Sequence, residues 1–324
     1  MTNFSDRKKR KEEKKEQKRR DYIDKSNRNK VLLENADFSE MSTQQKIWMG
    51  TKIALYAGAP LLIYLCMPAV VIAVGRCLYT GSIKGSLVYD QTSANFYTFI
   101  GIICALLYLK RVARKRGSTV REEVSLSFSG LKPKYIMLML AFGFCVSVSI
   151  SALYTLLPAI IKSSYDELST QMFRSYDIAL ALCTVVVLDP IAEELVFRGY
   201  MLNRLLPRLG EKWAILIVTV IFAICHISPL WILYNLIIGW VLAKISIRHD
   251  NILYSMAIHI GFNFTVLVNF IITGNAKLNS ILFGNKFVIL MYLLMFGGLA
   301  YIIARKYLEM ENIIISYGEG KHEK

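Results

Sequence analysis

Apolar residues run through this chain in long blocks, near 52–75, 93–109, 135–160, 177–206, 212–227, 229–247, 251–273 and 287–304, with polar stretches between them. A helix rises about 1.5 Å per residue, so about 20 residues cross the hydrocarbon core of a bilayer. Most blocks meet that length; the second and fifth are short. Backbone inside lipid must satisfy its own hydrogen bonds, which leaves helices as the form such blocks take. The pattern predicts an all-α polytopic membrane protein with about eight transmembrane helices.

The polar stretches carry a second regularity. Residues 7–20 hold ten Lys/Arg against three Glu, and residues 110–134 hold eight against two. Further basic groups follow at Arg198, Arg204, Arg208 and Lys212, then at Lys244, Arg248 and His249, then at Arg305 and Lys306. The intervening loops 76–92, 161–176 and 274–286 are poorer in Lys/Arg. This alternation places the basic loops and both the N and C termini in the cytoplasm. Four segments result: a basic polar tail, 1–45; the first three spans with their basic loop, 46–174; a core of helices, 175–273; and a last span with the cytoplasmic C-terminus, 274–324. The first apolar block begins near Ile53, too late for a cleaved signal peptide, so it is expected to be retained as a span.

Composition agrees with the membrane class. The 324 residues are 54% hydrophobic, with mean hydropathy +0.40, which a soluble chain of this size rarely reaches. The formal net charge of +15 is gathered in blocks beside the spans, where it favours anionic lipid. No folded nucleic-acid module accompanies it, so nucleic acid is not expected as a partner. The tail is too polar to bury a core and is assigned to the lipid surface. Six cysteines (Cys66, Cys77, Cys104, Cys145, Cys183 and Cys225) show neither C-x-x-C nor zinc-knuckle spacing, and read as small buried hydrophobes.

Ionisable side chains in an apolar stretch are costly, and they concentrate at functional sites. The fourth block contains Glu193-Glu194-x-x-x-Arg198. Glu194 and Arg198 stand four apart, the helical spacing of an ion pair, while Glu193 lies about 100° round the helix. Burial raises the pKa of at least one of two close carboxylates, as a general base requires. The alternative is a wet helix end with both glutamates in water. His226 arrives in Phe222-x-x-x-His226, with both residues expected on one helix face. A hairpin turning at Pro207-Arg208-Leu209-Gly210 would bring Glu193 and His226 level, each about sixteen residues from the turn. His259 and Asn263, again four apart, share a face of the next-but-one helix, and Gly261 between them would admit a close neighbour. Their alternative is interhelical hydrogen bonding that only holds the bundle together.

Competing chemistries can be checked against the same sequence. There is no His-Glu-x-x-His and no Gly-x-Ser-x-Gly. Tyr176-Asp177 and Asp189-Pro190 suggest an aspartyl pair, but the second aspartate lacks a glycine-rich setting, and Asp189 marks a helix irregularity at Pro190. Glu193, His226 and His259 would suit a two-histidine, one-carboxylate zinc site, which residue types alone leave open. A metal-independent site is favoured, since Arg198 places positive charge beside Glu193. A proton relay in a transporter and a non-proteolytic scaffold for a partner membrane protein are the rivals from other classes.

In this order on successive helices, Glu193-Glu194-x-x-x-Arg198, Phe222-x-x-x-His226 and His259-x-x-x-Asn263 resemble the CAAX-protease and bacteriocin-processing family, also called Abi, whose relatives include the type II CAAX prenyl endopeptidases. The resemblance covers roughly residues 175–270. It implies an eight-helix membrane endopeptidase acting on a membrane-associated peptide or protein, in a bacterial plasma membrane. It further implies that Glu193 activates a water, that His226 assists, and that His259 and Asn263 stabilise the oxyanion. Members of the family are described both as metalloproteases and as glutamate proteases, and many bacterial ones act in bacteriocin immunity or peptide maturation.

Overall fold

The computed structural model describes residues 42–80, 91–129, 131–158, 178–226 and 228–319, with Glu13 and Gln17. Most of the polar tail and residues 81–90 and 159–177, with Tyr176 and Asp177 among them, lie outside the described residues. Among the described residues the structure is helical, without strands. The helices are α1 (Thr43–Thr80), α2 (Gln91–Arg116), α3 (Val120–Glu123), α4 (Pro133–Thr155), α5 (Ile178–Ala181), α6 (Asp189–Glu194), α7 (Asn203–Ile224), α8 (Pro229–His249), α9 (Ile252–Thr273), α10 (Ala276–Phe283) and α11 (Lys286–Glu319). Two π-helical segments, Leu182–Leu188 and Leu195–Leu202, join α5 to α6 and α6 to α7.

Among the described residues, five helical stretches are long and apolar enough to cross a membrane: Gly50–Tyr79, Pro133–Thr155, Pro229–His249, Ile252–Thr273 and Lys286–Tyr307. The chain is a multi-pass membrane protein. The other three expected spans have identifiable departures. Lys110, Arg111, Arg114, Lys115 and Arg116 crowd the second half of α2. The 177–206 block carries Asp189, Glu193, Glu194, Arg198 and Arg204. Within α7, Gly210 (φ 73°, ψ 169°) leaves the helical region at the expected turn, so the straight piece after it is only roughly 20 Å long. Of the six cysteines, only Cys145 is buried, and Cys66 and Cys183 are exposed, which corrects the expectation. A thiol on a spanning helix loses little by facing acyl chains, so apolar surroundings in sequence did not mean a protein interior.

The chain divides into two compact units. The first comprises Met1–Ser129, Ala192–Phe222 and Gly239–Ile252. In it α1 packs on α2 and on the π-helical Leu195–Leu202. The basic loop after α2 is folded as well. Thr119 and Glu122 cap α3 reciprocally, and Val124 seats against Gly199, where any side chain would collide with it. Ser125 donates to Asp250 at 2.8 Å and accepts from Asn203 at 3.0 Å, while Asn251 pairs with the backbone of Ser127. These bonds fix the loop between two helix ends.

The second unit comprises Gly130–Ile191, Ala223–Ile238 and Leu253–Lys324. Here α4 lies against α11 through Cys145, Ala300 and Ile303, with Phe144 and Phe296 edge to face at 6.0 Å. It crosses α9 backbone to backbone. A Cβ on Gly143 would overlap the carbonyl oxygen of Ile258, and one on Gly261 would overlap that of Leu140. The expected close neighbour of Gly261 is therefore α4, and small residues are what let two membrane helices meet so closely.

Candidate active site

Glu194 and Arg198 form the expected ion pair, with Arg198 Nη1 at 2.8 Å from Glu194 Oε1 and both side chains wholly buried. The wet helix end is thereby excluded for this pair. An ion pair withdrawn from water is costly unless further partners complete it. Arg198 Nη2 donates to the carbonyl of Gly239 at 3.1 Å, and its guanidinium lies 4.2 Å from the centre of the Phe222 ring, a cation–π contact. Phe222 is itself fully buried and meets Phe197 edge to face at 5.1 Å. Gly239 was not foreseen. A Cβ there would come within 3.0 Å of Phe222 and 3.5 Å of Arg198 Nη2, so glycine keeps the carbonyl within reach of the guanidinium. The only sequence signal was a glycine inside an otherwise apolar helix, at a cost of about 1 kcal/mol relative to alanine.

Glu193 differs from its neighbour: it is partly exposed, while Glu194 is buried, and both carboxylates act electrostatically on Arg198. Glu194 is thus held by Arg198, while Glu193 keeps part of its surface exposed. These residues, with Phe222 and Gly239, belong to the first unit.

His226, His259 and Asn263 belong to the second unit. His226 does not share a helix face with Phe222. Helix α7 stops at Ile224, and His226 lies in the turn that follows, its amide donating to the Ala223 carbonyl at 3.1 Å. The physical reason is Pro229, which opens α8: it has no N–H for the Cys225 carbonyl and its ring would clash with that group, so one helix cannot run through both. His226 is half-buried and His259 is buried within α9.

Asn263 is engaged by the neighbouring backbone, its Nδ2 donating to the Val185 carbonyl at 2.9 Å. Val185 belongs to the first π-helical segment, where bonds run from residue i to i−5; Asp189 N–H accordingly bonds Thr184 O. The next donor in that register, meant for Val185, is residue 190, a proline without an N–H. Asn263 supplies what Pro190 withholds. The helix irregularity expected at Asp189-Pro190 is therefore real, and it has a side-chain partner on α9. Val185, Val186 and Leu267 seal this contact in a small apolar cluster. Among the described residues, no group of three His, Cys, Asp or Glu side chains is placed to hold a metal ion.

Residues 175–265 match the family model described as type II CAAX prenyl endopeptidase Rce1-like, a family of proteases. The matched stretch is less than a third of the chain, and it contains Glu193, Glu194, Arg198, His226, His259 and Asn263. The resemblance carried by the three motifs and the family match thus fall on the same segment. No curated protein and no solved structure matches the chain.

Proposed function

We propose that this protein is an intramembrane endopeptidase that hydrolyses a peptide bond in a membrane-associated peptide or protein, in a bacterial plasma membrane. The observation that carries the reading is the contrast between neighbours, a wholly buried Glu194–Arg198 pair beside a partly exposed Glu193, inside the segment that matches a protease family. A carboxylate anchored next to a rigid ion pair is suited to general-base work.

In the proposed reaction, Glu193 takes a proton from a water whose oxygen attacks the scissile carbonyl carbon, with His226 orienting that water. The carbonyl oxygen becomes the tetrahedral oxyanion, and His259 and the remaining donor capacity of Asn263 stabilise it. Glu193 then returns the proton to the leaving amine nitrogen as the C–N bond breaks. Glu194, Arg198, Phe222 and Gly239 hold the base and do not exchange protons. No step is routed through a metal, and elemental analysis of active protein before and after chelation tests that choice.

The decisive experiment is cleavage of membrane peptides by purified protein. Glu193→Gln keeps the size of the side chain and removes the base, so turnover is expected to fall by about 10²–10⁴ with helical content unchanged. Wild-type turnover in a folded Glu193→Gln variant would replace the enzyme by the scaffold reading.

A further inference from the structure

Three arginines from two parts of the first unit turn toward one ring. Arg116 ends α2, and Arg204 and Arg208 lie at the start of α7; their guanidinium carbons stand 5.2, 5.7 and 5.3 Å from the centre of the Tyr56 ring. Arg204 also covers Tyr200 at 4.6 Å, and Tyr200 packs on Tyr56 at 6.2 Å. Glu123 binds Arg116 at 2.9 Å and forms a second ion pair with Arg204, and Arg208 donates to the Arg204 carbonyl at 2.5 Å. Like charges so close would repel, and the aromatic faces and the carboxylate hold them together. Two donors in the cluster, Arg204 Nε and the Tyr56 hydroxyl, are buried without a hydrogen-bond partner.

We propose that Arg116, Arg204, Arg208 and Tyr56 form a binding site for the phosphate of an anionic phospholipid headgroup. Guanidinium forks take phosphate oxygens in pairs, and a tyrosine hydroxyl adds one more donor. The site lies where an acidic headgroup would lie. Tyr56 stands near the start of the first candidate span, and Arg116 follows the apolar part of α2. Basic pockets at the cytoplasmic ends of membrane helices bind such headgroups. Nearby, Lys52 Nζ sits 3.4 Å over the ring of exposed Trp48, the aromatic and basic pairing typical of a membrane interface. A free phosphate ion shares the chemistry of recognition. Acyl chains have the further advantage of the exposed Leu55 and Leu62 on the same helix, which offer them an apolar track.

The test is native mass spectrometry and thermal unfolding of the full chain in neutral detergent, with phosphatidylglycerol, phosphatidylcholine or inorganic phosphate added. Phosphatidylglycerol is expected to stay bound and raise the melting temperature, and phosphatidylcholine to do neither. Arg208→Gln leaves both Glu123 ion pairs in place and is expected to weaken phosphatidylglycerol binding about tenfold or more, as loss of a charge-assisted hydrogen bond should. Tyr56→Phe, which deletes one oxygen, is expected to weaken it about threefold to tenfold. Lys134→Gln, an exposed basic residue outside the cluster, should leave it unchanged. Unaltered binding in both Arg208→Gln and Tyr56→Phe, or equal weakening by Lys134→Gln, overturns the site. Inorganic phosphate that stabilises as strongly as phosphatidylglycerol overturns its assignment to lipid.

Discussion

Two demands fall on the amide of Asn263: it closes a gap in the backbone of the π-helical segment, and in the proposed reaction it also faces the oxyanion. The first can be measured apart from the second. Asn263→Ala strands the buried Val185 carbonyl, at an expected cost of about 1–3 kcal/mol of stability. In a Pro190→Ala background residue 190 regains its N–H and can bond Val185 itself, so the same Asn263→Ala change should cost clearly less. A thermal-unfolding cycle over the four proteins reads the coupling; equal losses in both backgrounds would mean that Pro190 is not the origin of the bond. At this scale the sequence was informative where spacing alone decides. Glu194 and Arg198 are four apart on one helix, and they pair. Gly239 was not legible, because its importance rests on Arg198, 41 residues away, and on the bulk of Phe222.

Among the elements, the basic loop after α2 departs most from expectation. Read as a charged connection, it is a capped helical turn whose buried Glu123 gathers Ser118, Arg204 and Arg116. Burial alone would push this carboxyl up, but the Ser118 hydroxyl and the two guanidinium charges bring it below the usual carboxylate range. A depressed folded-state pKa stabilises the fold fully above the unfolded value of about 4.3, and that contribution drains away as pH falls through the folded value. Thermal stability of the wild type should therefore drop more steeply on acidification below about pH 4.3 than that of Glu123→Gln, measured on the same purified protein. Parallel curves would show the carboxylate to be unimportant. The Thr119-x-x-Glu122 cap was present in the sequence as a signal, whereas the partner Arg204 lay 81 residues on and could not be inferred. The end of α7 was also legible in principle, through Pro229. Helical periodicity carried past Ile224, toward that proline, put His226 on a face it does not share.

Across the whole molecule, hydropathy identified five spans well because unbroken apolar runs of full length leave the backbone little choice. It was less decisive for 93–109 and 212–227, which are cut short by the charges from Lys110 on and by the break at Gly210, and for 177–206, which charge interrupts. The arrangement of loops is open to direct measurement. With both termini and the basic loops cytoplasmic, a cysteine placed at exposed Ser129 should resist a membrane-impermeant thiol reagent in intact cells, and one at Ser82 should react. The reverse pattern would invert the topology. One feature of the second unit also ties the protein to its surroundings. Gly143 and Gly261 seat α4 and α9 in each other's backbone, three residues from Leu140 and Ile258 respectively, with no side chain between them to yield. Helices notched together in this way lean together. A bilayer too thin or too thick for Pro133–Thr155 changes its tilt, at a modest cost per ångström of mismatch. Because His259 lies inside the notch on α9, it is carried along with that tilt. Turnover of the proposed reaction in nanodiscs should then peak at one acyl-chain length and fall on either side, making membrane thickness a regulator of the site.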